Sequence, residues 1–347
     1  MEKSKTKIKM SDLLLYPPMA CIMLIVVLTV LFSIFVKGFA TPFNFSAIMT
    51  QITYIGIVAL GLNFVILLGE IDVTVAIDMV LCAYMFTFIV MLTDSVLIGV
   101  LGSVLVGAFF GFLNGLLVGK LHLSSFIATT AMKFSVRALM LFFLGGNAYP
   151  NISKEKLPER VYNIAKMINS GTVKLSSEQR FLGLGTIFGI RTSVYILVAL
   201  FLVILMVVKH TNWGRNVFAL GGNRRAAVVA GVPVDKTIIL AYVVCGMCCG
   251  LSGVVYMCQT GTMQAGAAQG GEMLMIASCA IGGTAMAGGR GSGVSPFVGA
   301  ILIGVIMNVI SVLAIPGVWQ DFFIGAIVLI SAGFDIVRRR VVDKAYE

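Results

Sequence analysis

Long apolar runs separated by short polar segments repeat along the whole chain. Each run approaches or exceeds the roughly 20 residues that a helix needs to cross a hydrocarbon core about 30 Å thick. We therefore predict an all-α polytopic membrane protein with about ten transmembrane helices. The predicted spans cover residues 18–36, 47–68, 73–92, 95–119, 122–144, 192–209, 237–257, 271–287, 294–313 and 317–336.

The composition supports the same conclusion. Hydrophobic residues make up 59% of the chain and charged residues only 12%, which is too apolar for a water-soluble fold of 347 residues. Because the spans follow one another closely, we expect residues 1–347 to form a single transmembrane domain surrounded by membrane lipid. The formal net charge of +10 does not indicate nucleic-acid binding, because the Lys and Arg residues gather between apolar runs.

Basic residues between the spans predict the orientation. An even number of spans places both termini on one side, and basic residues within 3–9 and 338–344 assign that side to the cytoplasm. Residues of about 210–236 then form a cytoplasmic loop, and residues of about 145–191 form an extracytoplasmic loop. The second loop carries several Lys and Arg residues, so charge alone does not settle its side of the membrane.

Motifs for catalysis, cofactor binding and metal binding are incomplete. The segment 115–120 ends in Gly-Lys, but a phosphate-binding loop needs Gly at the position of Asn114 and Ser or Thr at that of Leu121. The seven Cys residues lie mostly within apolar runs, where Cys packs as a small hydrophobic residue. We therefore expect no catalytic residue, no cofactor and no metal site, and hence a protein that is not an enzyme and has no ATPase site of its own.

Two carboxylates interrupt the apolar pattern between the second and third spans. Glu70 and Asp72 follow Gly69 with almost no intervening loop. A charge at the bilayer centre costs about 2.5–3.5 kcal/mol, so these side chains should face the bundle interior, a wet cavity or an interface. One interpretation is a short turn whose carboxylates cap the next helix, and the other is a broken helix beside a translocation path. The residues alone leave both open.

Two basic residues lie within the fifth predicted span. Lys133 and Arg137 are one helical turn apart, too deep for easy solvation unless they snorkel, line a cavity or pair with a carboxylate. We expect an ion pair with a carboxylate such as Asp72 or Asp78. The candidates for the translocation path are therefore Glu70, Asp72, Lys133 and Arg137.

The fourth span carries glycines at a spacing of four residues, which places them on one helix face. A neighbouring backbone can approach such a face closely, so we expect a packing seam; a hinge or a pore-lining stripe is the alternative. The glycines are Gly107, Gly111, Gly115 and Gly119.

The predicted cytoplasmic loop contains a short helix. Asn223 can cap its N-terminus, Ala-rich residues propagate it, and Gly231 followed by Pro233 ends it. A helix of one or two turns is not stable alone in water, so we expect it to dock against another surface. A plain interfacial connector is the alternative.

Over residues 221–232 the chain resembles the permease subunits of bacterial ATP-binding-cassette importers for ribose, xylose, galactose and related sugars. The resemblance implies a multi-pass protein of the bacterial inner membrane that forms the translocation pathway for a sugar or a similar small polar solute. It extends in order along nearly the whole chain, through residues 69–72, 126–129, 181–183, 221–232, 281–284, 288–291 and 319–320.

The resemblance also implies partners. Two permeases, identical or different, would surround a central pathway, with two cytoplasmic ATPase subunits and an extracytoplasmic solute-binding protein that delivers the solute. The short cytoplasmic helix would be a coupling helix that inserts into a cleft of the ATPase. Its coupling residues would be Asn223, Arg224, Arg225, Ala226, Ala227, Ala230, Gly231 and Val232.

Two alternatives remain open from the residues. A permease of the same broad fold could carry branched-chain amino acids or nucleosides. An ion-coupled secondary transporter would instead use Glu70, Asp72 and Asp78 as ion sites.

Overall fold

The computed structural model describes residues 17–144, 175–261 and 270–316, with a few isolated positions outside these ranges. The described chain is mostly helical. Its helices are α1 (Pro17–Phe35), α2 (Pro42–Leu67), α3 (Val75–Thr93), α4 (Val96–Gly115), α5 (Ser125–Leu144), α6 (Phe181–Leu184), α7 (Thr192–His210), α8 (Asn212–Gly222), α9 (Arg224–Val229), α10 (Val234–Thr260), α11 (Gly271–Ile281) and α12 (Ser295–Val312). A π-helical turn, Leu116–Lys120, extends α4, and two short strands, β1 (Thr186–Ile187) and β2 (Ile190–Arg191), pair antiparallel.

Six of the described helices are long and apolar enough to cross a membrane: α2, α3, α4 with its π-helical turn, α7, α10 and α12. The prediction of a helical, multi-span membrane protein is therefore confirmed. The predicted span 271–287 differs, because α11 ends at Ile281, where Gly282 and Gly283 begin a turn. The predicted last span, 317–336, lies outside the continuously described residues.

α2 and α10 form the centre of the bundle. Every residue of α2 from Ile55 to Leu67 is buried, and α10 packs against α2, α3 and α4. By contrast, α4 and α7 leave large apolar side chains such as Leu105 and Leu202 exposed. Apolar surface of this extent on a spanning helix is covered by lipid or by another membrane helix.

α4 packs along α10 through the predicted glycine seam. A side chain at Gly107 would collide with the carbonyl oxygen of Gly246, and one at Gly111 would collide with the carbonyl oxygen of Tyr242. The two backbones therefore touch where glycine removes the Cβ atom. The prediction of a packing seam is confirmed.

Polar contacts mark the two ends of α10. Near its C-terminus, Arg180 donates from Nε to the carbonyl oxygen of Cys258 at 3.0 Å. Near its N-terminus, Trp213 donates from Nε1 to the carbonyl oxygen of Thr237 at 3.3 Å. A 27-residue helix is about 40 Å long, so Arg180 and Trp213 lie on opposite ends of the bundle.

Candidate functional site

The chain between α2 and α3 is not helical, although it is packed inside the bundle. Gly69 ends α2 with a positive φ of 78°. The following backbone is held by side chains of α5 and α10: Ser125 Oγ accepts from the N–H of Ile71 at 3.2 Å, and Tyr242 donates its hydroxyl to the carbonyl oxygen of Ile71, also at 3.2 Å. These side chains satisfy backbone groups that a continuous helix would satisfy itself. Residues 68–74 are called the helix break below.

Asp72 lies within this break and is hydrogen-bonded to Thr74, the residue immediately before α3. The residue is only 2% exposed, and its Oδ1 accepts hydrogen bonds from the backbone N–H of Thr74 at 2.9 Å and from the Thr74 hydroxyl at 2.6 Å. Asp72 therefore fixes the turn that leads into α3 through Thr74, and not through an N–H group inside the helix.

The hydroxyl of Thr74 also connects Asp72 to two further buried side chains. Asp78 Oδ2 lies 2.8 Å from Thr74 Oγ1, and Asn114 donates from Nδ2 to the same oxygen at 2.9 Å. Asp78 is 2% exposed and Asn114 is fully buried. The four residues Asp72, Thr74, Asp78 and Asn114 are called the Thr74 cluster below.

Glu70 takes a different direction from Asp72. Its Oε1 lies 3.4 Å from Nη1 of Arg224, the first residue of α9. The side chain of Glu70 is 16% exposed and that of Arg224 is 50% exposed. The two carboxylates of the break therefore have separate roles: Asp72 faces the buried cluster, and Glu70 faces the predicted coupling helix.

Lys133 forms an ion pair with Glu272 in the first turn of α11. The expectation of an ion pair is therefore confirmed for Lys133, but its partner is Glu272 and not Asp72 or Asp78, the carboxylates offered as examples. Asp72 and Asp78 are instead hydrogen-bonded to Thr74, and Glu272 approaches Lys133 from another helix. Arg137 lies on the exposed side of α5 and, among the described residues, forms no ion pair with either aspartate.

The segment of α8 and α9 has the local structure that its residues predict. Asn223 Oδ1 accepts from the N–H of Ala226 at 3.0 Å, which caps α9. At the other end Gly231 adopts a φ of 78°, and Val232 donates its N–H to the carbonyl oxygen of Ala227 at 3.0 Å. These contacts close a six-residue helix at both termini.

The outward side of α9 is apolar and uncovered. Val228 is 55% exposed and Val229 is 90% exposed, and Ala230 and Gly231 continue the same surface. Ala227 differs from the other predicted coupling residues, because it is only 4% exposed and faces the protein. We call Val228, Val229, Ala230 and Gly231 the outward α9 surface.

Glycines join this segment to the end of α2 and to the turn that precedes α12. Gly289 donates its N–H to the carbonyl oxygen of Leu67 at 2.8 Å. A Cβ at Gly221 would collide with that same oxygen, and one at Gly288 would lie 2.6 Å from the backbone nitrogen of Gly69. Only glycine permits this approach. The backbone of the helix break therefore touches the backbone that carries α9.

Sequence reasoning missed three residues of these sites. Thr74 and Asn114 complete the buried cluster, and Glu272 is the partner of Lys133. Glu272 is the one charged residue in α11, and Asn114 lies near the end of an otherwise apolar helix. Isolated polar groups in apolar runs are the signal that could have identified them.

Comparisons with known proteins identify the family to which the chain is similar. Residues 44–332 match the family described as "Branched-chain amino acid transport system / permease component". The chain is 30% identical to the L-arabinose ABC transporter permease protein of Azospirillum brasilense over 92% of this chain and 87% of the relative. It is 28% identical to the ribose import permease protein of Escherichia coli (strain K12), over 90% of this chain and 91% of the relative.

A further relative is the D-allose transport system permease protein of Escherichia coli (strain K12), with 28% identity over 90% of this chain and 89% of the relative. No solved structure matches the chain. The family match covers most of the sequence, and the six apolar helices agree with a multi-pass protein of the inner membrane. The chain therefore belongs to this family of transport-system permease components.

Proposed function

We propose that this protein is the transmembrane permease subunit of an ATP-binding-cassette importer and that it forms the translocation pathway for a sugar or a similar small polar solute. The observation that carries the proposal is the nearly full-length similarity to permeases named for L-arabinose, ribose and D-allose. In this role the chain has no ATPase site of its own and depends on an ATPase subunit.

We further propose a single permease domain over residues 1–347 with ten transmembrane helices and both termini in the cytoplasm. In this topology the loop of about 145–191 is extracytoplasmic and the loop of about 210–236 is cytoplasmic. The positions of Arg180 and Trp213 at opposite ends of α10 support this arrangement. It also places the helix break and the turn at Gly288 on the cytoplasmic side, beside α9.

We assign α9 and its flanks to coupling. The outward α9 surface offers small and apolar groups to a cleft of the ATPase, and Arg224 and Arg225 carry positive charge at the start of the helix. A helix of six residues has little stability of its own, so a docked partner would fix it. Asn223, Ala226 and Val232 belong to the same segment, whereas Ala227 holds it against the bundle.

The polar residues of the helix break and of α5 remain candidates for the pathway. The ion pair between Glu70 and Arg224 would transmit movement of α9 to the helix break, and Asp72 would fix the start of α3. Lys133 and the exposed Arg137 would face the pathway or the second permease. The partners in this proposal are a second permease, identical or different, and a solute-binding protein on the side of the loop 145–191.

Reconstitution tests this function directly. The permease is placed in proteoliposomes with the cassette ATPase and the solute-binding protein encoded beside it, and uptake of labelled L-arabinose, D-ribose and D-allose is measured. We expect uptake of at least one sugar only when the ATPase, the binding protein and ATP are all present. Sugar uptake by the permease alone, driven by a proton or sodium gradient, would overturn the proposal.

Transport of branched-chain amino acids is a second candidate function, because the matching family carries that description. The same proteoliposomes distinguish it, with labelled leucine added at the concentration used for the sugars. Leucine uptake that unlabelled pentose does not inhibit would favour this second function over the first.

A further inference from the structure

The Thr74 cluster has more hydrogen-bond contacts than ionised aspartates can satisfy. Thr74 Oγ1 lies 2.6 Å from Asp72 Oδ1 and 2.8 Å from Asp78 Oδ2, and it accepts a hydrogen bond from Asn114 Nδ2. A hydroxyl group has one hydrogen, so it can donate to only one of the two carboxyl oxygens. With both aspartates ionised, the other contact would place two acceptor oxygens together without a proton between them.

Two buried oxygens without partners give independent support. Among the described residues, neither Asp78 Oδ1 nor Asn114 Oδ1 has a hydrogen-bond partner, although Asp78 is 2% exposed and Asn114 is fully buried. The Asn114 amide is fixed against the cluster through its Nδ2, so its oxygen lies close to the same group of atoms. An ionised Asp78 would bury a negative oxygen without a donor, which costs more than burying the carbonyl oxygen of a neutral acid.

Positive charge from the protein does not resolve the problem. In the described ranges neither aspartate forms an ion pair, and Lys133 of α5 is engaged by Glu272 of α11. α4 contributes the neutral Asn114. The ionisable side chains that interact electrostatically with the two aspartates are neutral or negative groups of α10 and α3: Tyr242, Cys245, Cys249 and Cys82.

We propose that Asp72 and Asp78 bind one proton between them, with Asp72 ionised and Asp78 protonated on Oδ2. The Thr74 hydroxyl then donates to Asp72 and accepts from both Asp78 and Asn114, so every contact of Thr74 has a proton. The backbone N–H of Thr74 completes the acceptor bonds of Asp72. The site is a buried proton-binding site at the start of α3, and it goes beyond the proposed transport function.

Release of this proton has a structural consequence. When Asp78 loses it to water, two negative carboxyl groups compete for the single Thr74 hydrogen, and they repel each other in a surrounding of low dielectric constant. The start of α3 and the helix break should then loosen. The helix break contacts the backbone next to α9, so proton release would also change the packing of the segment assigned to coupling.

Infrared spectroscopy of the full-length permease in lipid nanodiscs tests the proposal. A protonated carboxylic acid has a carbonyl stretching band that carboxylates lack. We expect this band in the wild type at neutral pH and its loss in Asp78→Asn. Glu272→Gln is the matched control, because it removes another buried carboxyl group, one that is paired with Lys133, and it should leave the band in place. Absence of the band in the wild type at neutral pH would overturn the proposal.

The pH dependence of thermal unfolding gives a second measurement. If the folded pair keeps its proton at neutral pH, as proposed, folding binds a proton that an unfolded aspartate releases, so the fold loses stability as pH rises. From about pH 4, the ordinary range of aspartate, the melting temperature of the wild type should fall relative to that of Asp78→Asn. A constant difference across pH would contradict the proposal, as would a melting temperature that rises with NaCl in the wild type but not in Asp78→Asn.

If Asp78→Asn does not fold, an infrared titration of the wild type alone tests the proposal. The carboxylic acid band should then be present at neutral pH and disappear reversibly at alkaline pH.

Discussion

Arg224 at the start of α9 and Glu70 in the helix break after α2 form an ion pair across 154 positions of the sequence, with 3.4 Å between Nη1 and Oε1. The Arg224 side chain is half exposed, so the pair contributes at most about 1 kcal/mol to stability. Its position matters more than its strength, because it links the predicted coupling helix to the helix break. We therefore expect it to affect transport more than folding.

Charge reversal at Glu70 and Arg224 tests whether this ion pair links α9 to the helix break. Glu70→Arg and Arg224→Glu each place like charges together, so each should lower the solute imported per ATP hydrolysed by several fold, with little change in melting temperature. The double variant restores an opposite pair and should recover most of the coupling. The measurement is uptake and ATP hydrolysis in the same proteoliposomes.

Lys209→Glu is the matched control, because Lys209 is exposed in the last turn of α7, outside the segment assigned to coupling, and, in the described chain, forms no ion pair. If the double variant couples no better than the single variants, the pair does not carry the link between α9 and the break.

A charge on the outward α9 surface should weaken the complex with the ATPase. Val229 is 90% exposed, so Val229→Glu leaves the fold intact but places a carboxylate where an apolar contact is proposed. We expect at least a ten-fold loss of ATPase retained with tagged permease. Phe188→Glu is the control, because Phe188 is 96% exposed in the turn between β1 and β2, near the opposite end of the bundle. Equal retention by both variants would exclude α9 as the docking surface.

A substitution of Ala227 should have a different effect from a substitution of Val229. It is 4% exposed, so a bulky residue at this position would push α9 off the bundle before any partner binds. Ala227→Trp should therefore lower the melting temperature of the isolated permease, which Val229→Glu should not do. An unchanged melting temperature would show that α9 is not held through Ala227.

The Lys133–Glu272 pair predicts a stability change. Lys133→Met would leave the Glu272 carboxylate buried without its cation, and Glu272 Oε2 already lacks a hydrogen-bond partner within the described part of the chain. Breaking a buried pair costs about 3–5 kcal/mol, and the partial exposure of Lys133 places this case at or below the lower end. Thermal unfolding in detergent should show a clear loss for Lys133→Met and partial recovery in Lys133→Met/Glu272→Met.

Arg137→Met serves as the control for this experiment, since Arg137 is one turn away on the exposed side of α5. A loss of stability in Arg137→Met as large as that in Lys133→Met would indicate a general effect of charge on α5, and the assigned pair would not explain it.

Local features were predictable from the sequence. The limits of α7 differ from the predicted span 192–209 by one residue, because apolar length and flanking polar residues define a spanning helix. The caps of α9 at Asn223 and Gly231 follow from residue chemistry within a few positions. The glycine seam of α4 follows from helical periodicity.

Long-range pairing was not predictable in the same way. Lys133 and Glu272 are 139 positions apart, and nothing in the local pattern of either residue selects the other. The same is true of Glu70 and Arg224, although both were candidates individually. Helix packing decides which polar groups meet, and packing depends on the whole set of helices.

The glycine seam permits a test within one helix. Gly111→Ala places a methyl group against the carbonyl oxygen of Tyr242, which belongs to the backbone of α10 and cannot move aside. Such overpacking costs about 1–3 kcal/mol.

Gly102→Ala is the matched control, because its methyl group would meet only the end of the Ile89 side chain, which can change rotamer. We expect a lower melting temperature for Gly111→Ala and a nearly unchanged one for Gly102→Ala. Because α10 also contributes Tyr242 to the helix break, Gly111→Ala should reduce uptake as well. Equal stability of the two variants would mean that α4 and α10 do not touch along this seam.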